Sequence, residues 1–322
     1  MKLRTGLLAT VIAAMTGAAP ALAEYPERAI TLVVGSVPGS GPDVLARSMS
    51  EEMGAALGQP IIVENMPGAA GNVAAAAISR DTPDGYRMFI VTSNMAVATW
   101  LPKEPPFDPG TDFAFVGQVG AIPNVLVVSK DLGPKTVGEF VEFARERPGE
   151  LNYSSSGVGS SLHLAMVEMM EATGIEMVHI PYKGGKDATT AVLSGEVDSF
   201  MAGMPPALPF IRSGDLVALA VSGAERAPQI PDVPTLGETI MPGYSAESWY
   251  GLLLPKGTPE DIVEKVNAAA QVALADEAVV KRFFDAGAVV KISTGAEFQA
   301  LVAEQSERWK GELEKLGLAG TR

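Results

Sequence analysis

Two short stretches of this chain carry the residue types of an anion-binding site. GSVPGSGPD, Gly35–Asp43, follows the apolar run Ile30–Val34, and SSSGVGSSLH, Ser154–His163, follows Leu151–Tyr153. In each, glycines and hydroxyls stand where a strand pattern gives way to a helix pattern. The first amides of a helix have no intrahelical acceptor and sit at the positive end of its dipole. Glycines let an anion reach those amides, and serine hydroxyls donate further hydrogen bonds. The candidate contacts are Ser36, Val37, Gly39, Ser40 and Gly41 in the first loop. In the second they are Ser155, Ser156, Gly157, Gly159, Ser160 and Ser161, and Ser93 and Asn94 follow a third apolar run. Asp43 is better placed to cap its helix than to touch a ligand. On the residues alone, a tight strand-to-helix turn explains the first loop as well as an anion site does.

Other chemistries lack their parts. The first loop has no GK[ST] ending, so it is no phosphate loop, and its glycine spacing is wrong for a dinucleotide. A serine nucleophile needs a positioned base and a G-x-S-x-G elbow. The chain holds only two histidines. His163 falls in a helix start, as a capping or supporting residue, and His179 falls in a strand, packed between strand and helix. No enzyme activity is expected. With no cysteine and no DxDxDG loop, no metal, disulfide or cofactor is expected either. The formal charge of −14 disfavours nucleic acid and anionic membranes. An anion site here must therefore act through local dipoles rather than the net field.

The elements that position these loops alternate. Ile30–Val34, Ile61–Glu64 and Met88–Val91 read as strands, with helices from Pro42 to about Leu57 and through the alanine-rich stretch ending near Arg80. The pattern then repeats. Strands are expected at Val125–Val128, Leu151–Tyr153, Glu176–Ile180, Val197–Met201 and Leu216–Val221, and helices at Val137–Arg145, Ser161–Thr173, Asp187–Ser194 and Leu208–Ser213. After a proline-bearing connection, Ala227–Tyr244, come a strand at Ser248–Leu254 and helices at Pro259–Ala275, Ala278–Ala286 and Gly295–Leu316. Such alternation predicts parallel sheets flanked by helices, with ligands beyond the strand C-termini. About 300 residues favour two lobes over one core. The expected division is 24–119 for the first lobe, 120–230 for the second and 231–322 for a return to the first, with crossings near Gly117–Asn124 and within Ser222–Ser248.

The N-terminus has the pattern of a removable export signal. Met1–Arg4 is basic, Leu7–Ala19 is small and apolar, and Ala21-Leu22-Ala23 fits a cleavage site. The apolar run is too short and too broken for a membrane anchor. Cleavage after Ala23 would remove two cations, Lys2 and Arg4, and take the formal charge from −14 to −16. No cysteine follows the site, which excludes a lipid anchor of the lipoprotein type. The processed chain is expected in the periplasm.

Taken in order, the motifs resemble the solute receptors of tripartite tricarboxylate transporters, the Bug receptors. The resemblance runs from Tyr25 to about Gly320. Its signposts include YPERAITLVV (Tyr25–Val34), the PGxGxD pattern (Pro38–Asp43), LGQPIIVENMPGAAGN (Leu57–Asn72), TPDGY (Thr82–Tyr86) and FDPGTDFAFV (Phe107–Val116). PNVLVV (Pro123–Val128), LNYSSSGVGSSLHLA (Leu151–Ala165), HIPYKG (His179–Gly184), GEVDSFM (Gly195–Met201), PDVPT (Pro231–Thr235) and SWYGLLLPKGTP (Ser248–Pro259) continue the series. The resemblance implies a two-lobed periplasmic binding protein fold that closes over a small carboxylate. It implies delivery to integral membrane transporter subunits, by a receptor expected to be a monomer. A periplasmic sensor presenting the loaded receptor to a signalling protein needs the same lobes and is the alternative.

Three positions depart from that pattern. Ser36 stands where phenylalanine is common, Ala202 where aspartate is common and Met66 where arginine is common. Leu162 also replaces a position that often bears a hydroxyl. Ser36 and Ala202 are therefore expected on the pocket wall. A wider, less acidic pocket would admit a bulkier ligand, aromatic ones included, as readily as a small hydroxy acid.

Overall fold

The apolar run at Ile30–Val34 forms β1, buried along nearly its whole length because it is sandwiched between neighbours on both edges. It pairs in parallel with β2 (Ile61–Asn65) and β3 (Arg87–Thr92). Between them lie α1 (Gly41–Leu57) and α2 (Asn72–Ile78), and α3 (Asn94–Ala98) follows β3 directly. Helix α1 opens with Pro42, whose missing N–H is no loss in a first turn. It buries Leu45, Met49 and Met53 against the sheet. The computed structural model describes residues 25–103, 106–315, 317 and 319–321. The expected cleavage site at Ala23 lies outside the described residues.

The chain continues through β4 (Phe113–Ser129), α4 (Val137–Arg145), β5 (Asn152–Ser155), α5 (Ser161–Thr173) and β6 (Val178–Pro181). Then come α6 (Gly185–Leu193), β7 (Ser199–Gly203), α7 (Met204–Ser213) and β8 (Leu216–Val221). Strand β9 (Glu247–Pro255), helices α8 (Glu260–Ala275) and α9 (Glu277–Asp285), the short β10 (Val289–Val290) and α10 (Gly295–Lys315) complete it. The strand order is β2-β1-β3-β9-β4-β7-β5-β6, with β8 and β10 also pairing β4.

One strand is far longer than expected. The strand expected at Val125–Val128 runs 17 residues as β4, and the crossing expected near Gly117–Asn124 lies within it. From Phe113 to Pro123 it pairs antiparallel with β9, and from Asn124 to Ser129 it pairs with β7 and β8. Two register shifts in the β9 pairing twist the strand from one sheet into the other. Glycines and Pro123 within this stretch hid the first part of the strand. The buried Asn124 fixes the turning point. Its backbone N–H donates to Ser222 Oγ at 3.0 Å, and its side-chain oxygen accepts from Ser248 Oγ at 2.8 Å.

The C-terminal helices close the first lobe: α8 and α9 pack on α1, and α10 packs on α3 and β4. Phe298 of α10 meets Phe115 and Trp249 edge-to-face, at 5.7 and 5.4 Å between ring centres. Trp249 is therefore a core residue. The parallel pairs β1–β2, β1–β3, β5–β6 and β5–β7 point their C-terminal ends at one region.

Candidate functional site

A cavity of about 190 Å³ opens where those strand ends meet. Six helices begin on its wall: α1 at Gly41, α2 at Asn72, α3 at Asn94, α5 at Ser161, α6 at Gly185 and α7 just after Gly203. Each brings the positive end of its dipole, and the first-turn amides come with it except at Pro42 of α1 and at Pro205 and Pro206 of α7, which have no N–H. Aspartate and glutamate are absent from the lining, and its ionisable cations are Lys183 and Lys186. Phe89, Val91, Met95, Phe107, Leu162 and Tyr250 supply apolar surface between the polar ends. In a chain of formal charge −14, this local field is the reverse of the global one.

The first loop places Ser36, Val37, Ser40 and Gly41 on the cavity. Ser36 and Ser40 share a hydroxyl–hydroxyl hydrogen bond of 2.6 Å. Helix α1 then begins with Val44 N–H donating to Ser40 O at 3.0 Å. A side chain at Gly41 would stand 3.0 Å from the Tyr250 hydroxyl, so glycine lets the loop approach that ring closely. Burial pushes that hydroxyl well above its ordinary pKa, partly offset by Ser248, so Tyr250 remains a neutral phenol.

Gly39 is not among the lining residues, and its N–H donates to Asp43 Oδ2 at 2.8 Å. Asp43 also accepts from Arg47 at 3.0 Å and from Asn65 at 2.9 Å. Burial opposes its ionisation, but the Gly39 N–H, Arg47 and Asn65 outweigh it and hold the carboxyl below its usual range. Asp43 thus reaches back over the first turn to brace the loop. The N-cap position itself belongs to Ser40.

The second loop divides in the same way. Ser156 and Ser161 line the cavity, whereas Ser155, Gly157, Gly159 and Ser160 are not among its lining residues. Ser155 is fully buried, 2.6 Å from His179 Nε2, and accepts from Gly157 N–H at 3.1 Å. Ser160 caps α5 by accepting from His163 N–H at 3.2 Å. Gly159 takes φ +75°, and a side chain there would collide with Leu101. Its N–H donates to His163 Nδ1 at 3.1 Å. Tyr153, His179 and His163 stack behind the loop, with the two imidazoles 4.0 Å apart. Both histidines serve the loop's shape. Burial holds His179 below its ordinary pKa and so neutral.

Across the cleft, Asn94 Oδ1 accepts from the Ser161 N–H at 3.1 Å and the Ser161 hydroxyl at 3.2 Å. Ser93 Oγ donates to Ser161 Oγ at 3.3 Å. The expected pair Ser93–Asn94 therefore meets the second loop directly, and both line the cavity.

Ala202 is a correction. It is fully buried on β7 opposite Val125, and the cavity begins one residue later at Gly203. Successive strand residues point to opposite faces, so the expected wall position turns into the core instead. The turn Pro67–Gly71, the residues Gly184, Gly185 and Lys186, and Gly203, Pro205 and Pro206 were missed as wall elements. Each follows the C-terminal end of a parallel strand, which is the signal that could have found them. Ala69 and Ala70 within that turn hold φ of 46° and 57°, a conformation non-glycine residues rarely adopt.

Two lobes joined by crossing strands, with helix N-termini facing one cleft, define a periplasmic binding protein. The family model described as "Tripartite tricarboxylate transporter family receptor" matches residues 45–318. The chain is 34% identical to the protein BugT of Bordetella pertussis, over 97% of this chain and 98% of that one. It superposes on the R. palustris protein Rpa4515, solved with adipate, with a TM-score of 0.87 at 31% identity, covering 92% of this chain and 99% of that one. With MatC from Rhodopseudomonas palustris, solved with malate, the TM-score is 0.82 at 32% identity, covering 89% and 99%. The chain belongs to the tripartite tricarboxylate transporter receptor family, which is a family of solute-binding receptors and not of enzymes. Among the described residues no helix is long and apolar enough to cross a membrane.

Proposed function

We propose that this protein is an extracytoplasmic receptor that binds a small mono- or dicarboxylate and delivers it to a tripartite tricarboxylate-type membrane transporter. The observation that carries this reading is the convergence of six helix N-termini on one cavity whose lining holds no carboxylate. Such a wall offers a carboxylate oriented amides and hydroxyls without a dedicated arginine. Its ligand contacts come from Ser36, Val37, Ser40, Gly41, Ser93, Asn94, Ser156 and Ser161, and the apolar surface beside them accommodates an alkyl or aromatic body. The relatives solved with adipate and malate favour the same ligand class. The chain is exported, cleaved after Ala23, and works as a monomer in the periplasm, with lobes divided near residues 119 and 230.

Calorimetry over mono-, di- and tricarboxylates, aromatic acids included, tests the reading. A ligand present at about 100 times its dissociation constant should also raise stability by about 2.7 kcal/mol. Failure of every carboxylate to bind, with neutral or cationic solutes binding instead, overturns it.

A further inference from the structure

The two ends of the cleft are chemically unlike. On the first-lobe side the polar groups are uncharged: the backbone and hydroxyls of Ser36, Val37, Ser40 and Gly41, and of Thr92, Ser93 and Asn94. On the second-lobe side stand two ammonium groups, Lys183 in the loop after β6 and Lys186 in the first turn of α6. Among the described residues neither ammonium has an ion-pair or hydrogen-bond partner, although most of the chain's other basic side chains have one.

The position of Lys186 is the more telling. A cation in the first turn of a helix opposes the helix dipole, so that placement is locally unfavourable. Asp187, the next residue, is the type the dipole favours, yet it lies outside the cavity lining while Lys186 lies on it. Two cations without a protein partner beside a helix N-terminus, with no acid in the cavity lining, leave positive charge that an incoming anion can pair with. Local rules broken without a compensating contact in the protein point to a contact outside it.

We propose that Lys183 and Lys186 recognise a second anionic group, so that the ligand of this receptor carries an acid at each end of an apolar body. This rests on the carboxylate reading above and deepens it. The first-lobe amides take one carboxylate, the apolar side chains cover the body, and the two ammonium groups select for charge at the far end. Because both lysines are exposed, the selection acts through a partly solvated pair that salt screens.

The test is calorimetry on the purified receptor with straight-chain diacids from succinate to suberate, each against the monoacid and the ω-amino acid of the same length. Lys183→Gln, Lys186→Gln and the double variant are compared with wild type, and Lys183→Arg and Lys186→Arg serve as charge-retaining controls. Wild type should prefer the best diacid over its monoacid by at least about tenfold, the scale of one charge-assisted hydrogen bond. The double glutamine variant should bring that preference within about twofold while the thermal midpoint stays unchanged, and the arginine variants should keep it. Added salt should erode diacid binding more steeply than monoacid binding. Equal binding of diacid and monoacid by wild type, or a preference that survives in the double variant, overturns the assignment. If no acid of either series binds, the carboxylate reading itself falls, and this inference with it.

Discussion

The side-chain oxygen of Asn94 lies 3.1 Å from the backbone nitrogen of Ser161, joining the start of α3 on one lobe to the start of α5 on the other. The same oxygen accepts the Ser161 hydroxyl. It therefore holds the position at a helix N-terminus that an anion oxygen would favour, and it does so without charge. An amide is suited to this place because a carboxylate there would repel an arriving anion. Asn94→Asp should accordingly weaken carboxylate binding more than Asn94→Ala. The alanine variant loses only the two hydrogen bonds, about 1–3 kcal/mol with the donors left unpaired. Calorimetry on both variants decides the point, and an aspartate variant that binds as tightly as wild type would show that the cleft does not receive an anion.

Serines adjacent in sequence divide the labour. Ser160 caps α5 through the His163 N–H and Ser161 faces the cavity. Ser160→Ala should lower stability by about 1 kcal/mol, the usual cost of a lost cap. Ser161→Ala should leave the thermal midpoint nearly unchanged and weaken binding by roughly 0.5–3 kcal/mol. Thermal melts beside titrations separate the two effects. A reversed pattern would mean that the loop faces the other way.

Much of this was legible in the chain. Strand runs, helix starts and the two glycine loops were visible because hydrophobic periodicity and helix-opening residues are local properties. Which loop amides remain free was not, because that depends on distant partners. Gly39 looked like an anion contact by residue type, yet its N–H is taken by Asp43, which Asn65 and Arg47 hold in place. The length of β4 hid because it carries glycines beside the register shifts in its pairing to β9 and a proline where that pairing ends. Lys183 and Lys186 follow the end of β6, which the chain signals, but the pairing of β5 with β6 that brings that end to the cavity depends on residues far apart in sequence.

Ala202 and Ser36 were expected to tune the same wall, and the structure separates them. Ser36 lines the cavity beside Ser40, so Ser36→Phe should fill space and disfavour bulky ligands while the fold persists. Ala202 is fully buried, so Ala202→Asp should place an unpartnered carboxyl in the core at a cost of roughly 2–7 kcal/mol. Denaturant melts should show a large loss for the aspartate variant and little for the phenylalanine variant. An Ala202→Asp protein with wild-type stability would mean that this position opens to the cleft after all.

The stack of Tyr153, His179 and His163 makes the second loop sensitive to acid. Ser155 accepts from Gly157 N–H and lies 2.6 Å from His179 Nε2, so a neutral imidazole accepting the serine proton satisfies every partner. Burial favours that neutral form by lowering the His179 pKa from its ordinary value of 6.5. Above 6.5 both folded and unfolded chains hold this histidine neutral, and its contribution is fully present. Below 6.5 the unfolded chain takes up a proton that the folded chain resists, so stability falls until the folded value is reached. Affinity should decline over the same range because Ser156 and Ser161 ride on this loop. In His179→Gln a neutral amide can still pair with Ser155, and the part of the decline above about pH 5, where most carboxylates have yet to titrate, should disappear. Parallel melts and titrations from neutral to mildly acidic pH check this. A flat wild-type profile, or a decline that His179→Gln retains in full, would remove His179 from the account.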